Sequence, residues 1–167
     1  ESWNGSNWTE VNNLNTTRRL LGGAGASNTA ALAFGGYTGT ANTNNTENWD
    51  GSSWTEVNNL NTARNNLTGT GTNTAALALG GSPGPTPSTR STAVEQWNGS
   101  SWTEISDLNT GRTTFASNGT TTSALAYGGT TPALSPNYLA LTEDWNGASW
   151  VEVADLSTGR SGGGGAG

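Results

Sequence analysis

One block of residues returns four times in this chain, each time with two tryptophans. It reads Glu1-Ser-Trp3-Asn-Gly-Ser-Asn-Trp8-Thr-Glu-Val11 at its first appearance, and it starts again at residues 47, 95 and 143. All eight tryptophans sit in these blocks: Trp3, Trp8, Trp49, Trp54, Trp97, Trp102, Trp145 and Trp150. Starts spaced by 46, 48 and 48 residues mark a supersecondary unit that buries its apolar face only against its neighbours. This period governs the whole chain, 1–167, as one repeat-built unit.

Within a repeat the pattern is that of short strands. A Gly-rich stretch, residues 20–25, precedes the apolar run Thr29-Ala-Ala-Leu-Ala-Phe34, which ends on Gly35-Gly36. A polar loop leads to two short segments around Trp49 and Trp54, separated by Asp50-Gly51-Ser52-Ser53. Asp-Gly or Asn-Gly between strand-like runs is a strong hairpin signal. The repeat therefore predicts an antiparallel sheet of four short strands. In the apolar strand, Ala30, Leu32 and Phe34 share one face and Ala31 and Ala33 the other, because side chains alternate along a strand. A large face and a small face, both apolar, predict sheets that stack and interlock. The Gly-rich strand suits the innermost position, where side chains have little room. These are the requirements of a β-propeller blade, with a parallel β-helix as the structural alternative.

Arg18, Gly35-Gly36, Trp49, Trp54, Leu60 and Arg64, in this order and approximate spacing, resemble the kelch repeat, with Trp in place of its usual Tyr. The pattern recurs at Gly80-Gly81, Trp97, Trp102 and Arg112, and at Gly128-Gly129, Trp145, Trp150 and Arg160. The Trp-Asn-Gly-Ser-Ser-Trp-Thr-Glu wording also resembles kelch-like repeats of bacteriophage tail-fibre and virion-appendage proteins. The resemblance implies an all-β, kelch-like propeller of four-stranded antiparallel blades. About three and a half blades are present, so the expectation is a partial propeller, or one closed by further sequence or by other copies. Start at Glu1 rather than Met reads as a processed or partial product.

Composition narrows the function. Hydrophobic residues make up 31% and charged residues 11%, with six Arg, no Lys, no His, no Cys and no Met. A net charge of −6 without a basic patch argues against nucleic acid. The absence of a long apolar run argues against membrane insertion. No His-based triad, thiolate nucleophile or Schiff-base lysine can be built from these residues, so the expectation is no enzyme, no cofactor and no bound metal. A surface of amides and hydroxyls suits an extracellular or virion-surface setting. Seven Asn-x-Ser/Thr sequons, at Asn4, Asn7, Asn15, Asn44, Asn66, Asn98 and Asn118, matter only where the source glycosylates them.

Two sets of residues stand out. The tryptophans could stack on sugars, but their fixed register favours packing between or within blades, so Trp54 and Trp102 are expected to be mostly buried. Arg18, Arg64, Arg112 and Arg160 favour fastening to carboxylates or carbonyls over ligand binding. Glu10, Glu56, Glu104 and Glu152 repeat with them. The departures from symmetry are the loops after each diglycine, and variation on one face of a rigid scaffold is where binding usually sits. Tyr37, Asn44, Arg90, Asn137 and Tyr138 are the ligand-binding candidates there. The functional expectation is a structural and recognition module that binds a host glycan or surface protein through these loops. The alternatives are a ligand-free building block of a fibre and, behind it, an intracellular kelch adaptor. Expected partners are further copies or the rest of a longer chain.

Overall fold

The computed structural model describes residues 1–84, 89–131 and 138–165. Among them there is no helix and there are fourteen strands. A hairpin, β1 (Ser2–Trp3) and β2 (Trp8–Thr9), stands first. Sheet I follows as β3 (Gly22–Ser27), β4 (Ala30–Phe34), β5 (Thr46–Trp49) and β6 (Trp54–Val57). Sheet II is β7 (Thr68–Gly71), β8 (Ala76–Leu79), β9 (Val94–Trp97) and β10 (Trp102–Glu104). Sheet III is β11 (Ala116–Gly119), β12 (Ala124–Tyr127), β13 (Thr142–Trp145) and β14 (Trp150–Val153). Each four-stranded sheet is an antiparallel meander in chain order, as the repeat predicts.

The first strand of sheet I begins at Gly22, two residues later than the Gly-rich stretch suggests, because Leu20 turns away with φ of 58°. Asn66 and Thr114 take the same left-handed conformation at the same repeat position. The Asn66 amide donates to the Leu20 carbonyl at 2.8 Å, the Thr114 amide to Asn66 at 3.1 Å, and the Gly162 amide to Thr114 at 2.8 Å. A ladder of backbone bonds thus runs from one repeat to the next. Strands β3, β7 and β11 lie side by side where the sheets converge. There is no room for a side chain there: a Cβ on Gly69 would collide with the Phe34 ring and the Gly23 carbonyl. Residues 163–165 continue the series beside β11, and a Cβ at Gly165 would strike the Ser117 carbonyl.

The interlocking faces are present. Leu32 and Phe34 of sheet I pack with Ala76 and Ala78 of sheet II, and Leu77 and Leu79 of sheet II pack with Ala124 and Ala126 of sheet III. Phe34 meets Trp102 edge to face, with ring centroids 4.9 Å apart. Among the described residues no further sheet covers the last large face, and Leu125 and Tyr127 are only half-buried. Trp54 is also half-buried, less than expected, whereas Trp102 is 6% exposed. The difference arises because Trp102 rests on Phe34, whereas among the described residues Trp54 has no such aromatic partner from a neighbouring sheet.

Candidate functional site

The repeated arginines are structural clasps. Arg64 donates to the carbonyls of Gly80 (3.0 Å), Ala93 (2.7 Å) and Ala78 (3.3 Å), and to Glu95 Oε1 at 3.1 Å. Arg112 repeats this on Gly128, Leu141 and Glu143, and Arg18 on Ala33 and Glu47. All three guanidinium groups are fully buried, and each meets one carboxylate. Burial pushes the Arg64 and Arg112 guanidiniums down from their ordinary range, while Glu95 and Glu143 hold them charged. The same carboxylates also cap the incoming linker. Glu47 accepts from the Asn15 amide, Glu95 from Asn61 and Glu143 from Asn109, each at 2.7 Å.

These glutamates, not the repeated Glu56, Glu104 and Glu152, do the buried work, and those three are exposed. Glu47, Glu95 and Glu143 each open a Trp-bearing block, the one signal in the sequence that sets them apart from the second glutamate series. Arg160 stands apart. Its Nε donates to the Thr158 carbonyl at 3.3 Å, and the residue is exposed.

The arginine backbone explains the diglycines. The amides of Gly36, Gly81 and Gly129 donate to the carbonyls of Arg64, Arg112 and Arg160 at 2.9, 3.0 and 2.8 Å. Both glycines of each pair have positive φ, and a Cβ on the first would lie 2.8 Å from the arginine carbonyl oxygen. The diglycine thus lets one sheet touch the linker into the next.

The loops leaving the diglycines are bonded sideways to one another. Asn42 Nδ2 of the first loop donates to the carbonyls of Ser82 (3.0 Å) and Gly84 (3.3 Å) in the second. Arg90 of the second donates through Nε to the Thr130 carbonyl of the third at 3.2 Å. Burial pushes the Arg90 guanidinium down from its ordinary range. Tyr37 forms bridges with Arg19 and Asn42, and the Arg19 guanidinium lies 5.6 Å from its ring centroid. Tyr138 bridges to Thr130 and is 53% exposed. Asn44 is occupied within the fold: its Nδ2 donates to the Leu60 carbonyl at 2.9 Å. Asn137 lies outside the described residues. The structure therefore brings Tyr37, Arg90 and Tyr138 onto one linked loop face, with Asn44 turned to a structural task.

A second feature lies at the N-terminal end of the stack. The hairpin β1–β2 packs on sheet I, held by Asn28 Nδ2, which donates to Ser2 Oγ at 3.0 Å and to the Trp3 carbonyl at 3.2 Å. Between hairpin and sheet is a cleft of about 740 Å³ whose walls include Trp3, Trp8, Trp49, Trp54, Leu14 and Ala31. Trp3 and Trp8 are 44% and 65% exposed. Their rings are 5.5 Å apart and tilted at 44°, the same pairing as Trp97 with Trp102 at 5.4 Å and 43°. Among the described residues no three His, Cys, Asp or Glu side chains gather as a metal site would need.

No protein-family model matches this chain. No curated protein matches it either.

Proposed function

We propose that this chain is a kelch-like β-propeller segment, non-enzymatic, that serves as a structural and recognition module of a virion appendage or cell-surface assembly. It holds a host glycan or surface protein on its loop face. One observation carries the reading. Three loops of different sequence are bonded edge to edge, by Asn42 to Ser82 and by Arg90 to Thr130, above sheets of nearly uniform build. A rigid scaffold that varies only in its loops is the common design of a binding surface. Tyr138 supplies an exposed aromatic, and Arg19 with Tyr37 a cation stacked on a ring, both suited to sugar or peptide contacts. A glycan array followed by titration of Tyr138→Ala tests the reading. Binding weakens in the variant while its melting temperature stays that of the parent. Absence of any ligand among glycans and host surface proteins overturns it.

The alternative, a ligand-free building block, has its own support at the far end of the stack. Among the described residues there, Thr142 Oγ1 is buried without a partner, Arg160 meets no carboxylate, and Leu125 and Tyr127 are half-covered. The mass of the native assembly tests that reading, which requires a complex larger than one chain.

A further inference from the structure

One side chain per repeat varies at a fixed place on the loop face. The amides of Thr43, Ser91 and Leu139 donate to the carbonyls of Gly36, Gly81 and Gly129 at 2.9, 2.8 and 2.9 Å. The residues just before them, Asn42, Arg90 and Tyr138, therefore share one repeat position. Asn42 and Arg90 both reach forward to the next repeat, where Asn65 bridges to Ser82 and Thr113 to Thr130. Both junctions lie between complete four-stranded sheets, but their chemistry differs. At the first, amides close on themselves. Asn42 Nδ2 serves the Ser82 and Gly84 carbonyls, Asn65 Nδ2 donates to Asn42 Oδ1, and Asn66 Nδ2 donates to Asn65 Oδ1. At the second, Arg90 stands among hydroxyls. Its Nε donates to the Thr130 carbonyl at 3.2 Å and its Nη2 to Thr130 Oγ1 at 3.4 Å. Thr130 Oγ1 also lies 3.0 Å from Thr113 Oγ1 and 3.4 Å from Thr114 Oγ1. Among the described residues Arg90 Nη1 is buried without an acceptor, and no carboxylate meets the guanidinium. Burial lowers the Arg90 guanidinium with no carboxylate opposing the shift, whereas Glu95 and Glu143 oppose it for Arg64 and Arg112.

We propose that Arg90, with the hydroxyls of Thr114 and Thr130, receives the carboxylate of an acidic sugar. On the reading of the loop face as a glycan-binding surface, this makes the bound glycan an anionic one. Arg90, Thr114 and Thr130 are half-buried, so part of each is open to solvent and within reach of a ligand. Thr113 is buried behind them and holds the Thr130 hydroxyl in place. A guanidinium presents its N–H groups as a planar fork that fits the two oxygens of a carboxylate. A cation partly withdrawn from water and left without a counter-charge attracts an anion more strongly than a fully solvated one. The ligand thus supplies the partner that the fold gives to Arg64 and Arg112 but not to Arg90. Threonine hydroxyls both donate and accept, as the hydroxyls of a sugar require. Tyr138 bridges to the same Thr130 and is exposed, which adds an aromatic residue for the apolar face of the sugar. An acidic peptide is the weaker occupant. Peptide contacts centre on apolar anchors in a desolvated pocket, and the groups gathered at Arg90 are hydroxyls.

The test is calorimetric titration of the 167-residue chain with sialyllactose and with fragments of hyaluronan and polygalacturonate, each beside its methyl ester. The expected result is saturable binding of at least one acid. Its methyl ester binds about tenfold or more weakly, and so does the acid to Arg90→Asn, since a charge-assisted bond is lost. Asn42 holds the same position one repeat earlier, so the fold accommodates that residue. Arg90→Lys, which keeps the charge but not the fork, restores part of the affinity. Added salt weakens binding to the parent more than to Arg90→Asn. Should Arg90→Asn fail to fold, acid against ester on the parent chain still decides. Equal binding of acid and ester overturns the inference, as does equal affinity of the parent and a folded Arg90→Asn. Tighter binding of tetraglutamate than of every acidic sugar overturns it too. No binding of any acidic sugar overturns this inference alone, because the loop-face reading fails only when the wider array of glycans and host surface proteins is also empty.

Discussion

The indole N–H of Trp102 crosses a sheet junction to Thr46 Oγ1 at 3.1 Å, inside the core. One repeat later, Trp150 is just as buried, but Val94 occupies the position of Thr46. Trp150 Nε1 has no partner among the described residues. A buried donor without an acceptor costs roughly 1–3 kcal/mol. Val94→Thr, which is nearly isosteric, should therefore stabilise the chain by about 1 kcal/mol, and Thr46→Val should destabilise it by about 1–3 kcal/mol. Urea unfolding of the two variants checks the pair. A Val94→Thr variant less stable than the parent would show that the new hydroxyl is desolvated without reaching Trp150.

The glutamate clasps make a second comparison. Glu95 is buried against Arg64 and Asn61, while Glu56, also at a repeated position, is exposed. Glu95→Ala leaves Arg64 charged in the interior and should cost about 3–5 kcal/mol. Glu56→Ala should stay within about 0.5 kcal/mol of the parent. Similar losses at both sites in denaturant titrations would refute the assignment of Glu95 as the clasp.

Leu77 and Leu125 hold the same place in successive repeats but not the same environment. Leu77 is fully buried under sheet III, whereas Leu125 lies half-covered on the last face. Sequence alone gives the two equal weight. Leu77→Ala should cost about 2–5 kcal/mol. Leu125→Ala should cost roughly 1–2 kcal/mol, because less apolar area leaves water on folding. Equal losses would mean that the Leu125 face is covered in solution.

The repeat made the strands, their order and the interlocking of large and small faces legible, because strand alternation and Asn-Gly turns are local signals. Arg18, Arg64 and Arg112 were also legible as fasteners. Glu47, Glu95 and Glu143 were harder to pick out, since the exposed Glu56, Glu104 and Glu152 repeat with the same period and only burial shows which series is the clasp. The left-handed turns at Leu20, Asn66 and Thr114 carried no signal. None is a glycine, and their conformation is imposed by the ladder of backbone bonds between repeats. Among the loop residues, Tyr37, Arg90 and Tyr138 lie on loops bonded to one another. Asn44 did not show in sequence that its amide is spent on Leu60, because that bond joins residues sixteen positions apart.

The four hairpin turns differ in one atom type, and pH should reveal it. Asn4, Asn98 and Asn146 each accept two backbone amides through Oδ1. Asp50 takes this role in sheet I, accepting from the amides of Ser52 and Ser53, both at 2.8 Å, and from the Ser52 hydroxyl. The Ser53 amide foremost, then the Ser52 amide and hydroxyl, lower its carboxyl from the ordinary 3.8 to about 2. A carboxyl whose pKa falls on folding stabilises the fold fully above its unfolded value, and that contribution is lost as pH drops through the folded value. The contribution of Asp50 should thus be intact at pH 5 and fade between about pH 4 and pH 2. Asp50→Asn keeps an acceptor for the same two amides but cannot titrate. The difference in melting temperature between parent and variant should be constant from pH 7 to 5 and move in favour of the variant below pH 4. A difference that stays constant down to pH 2 would mean that the Asp50 carboxylate does not hold the turn in solution.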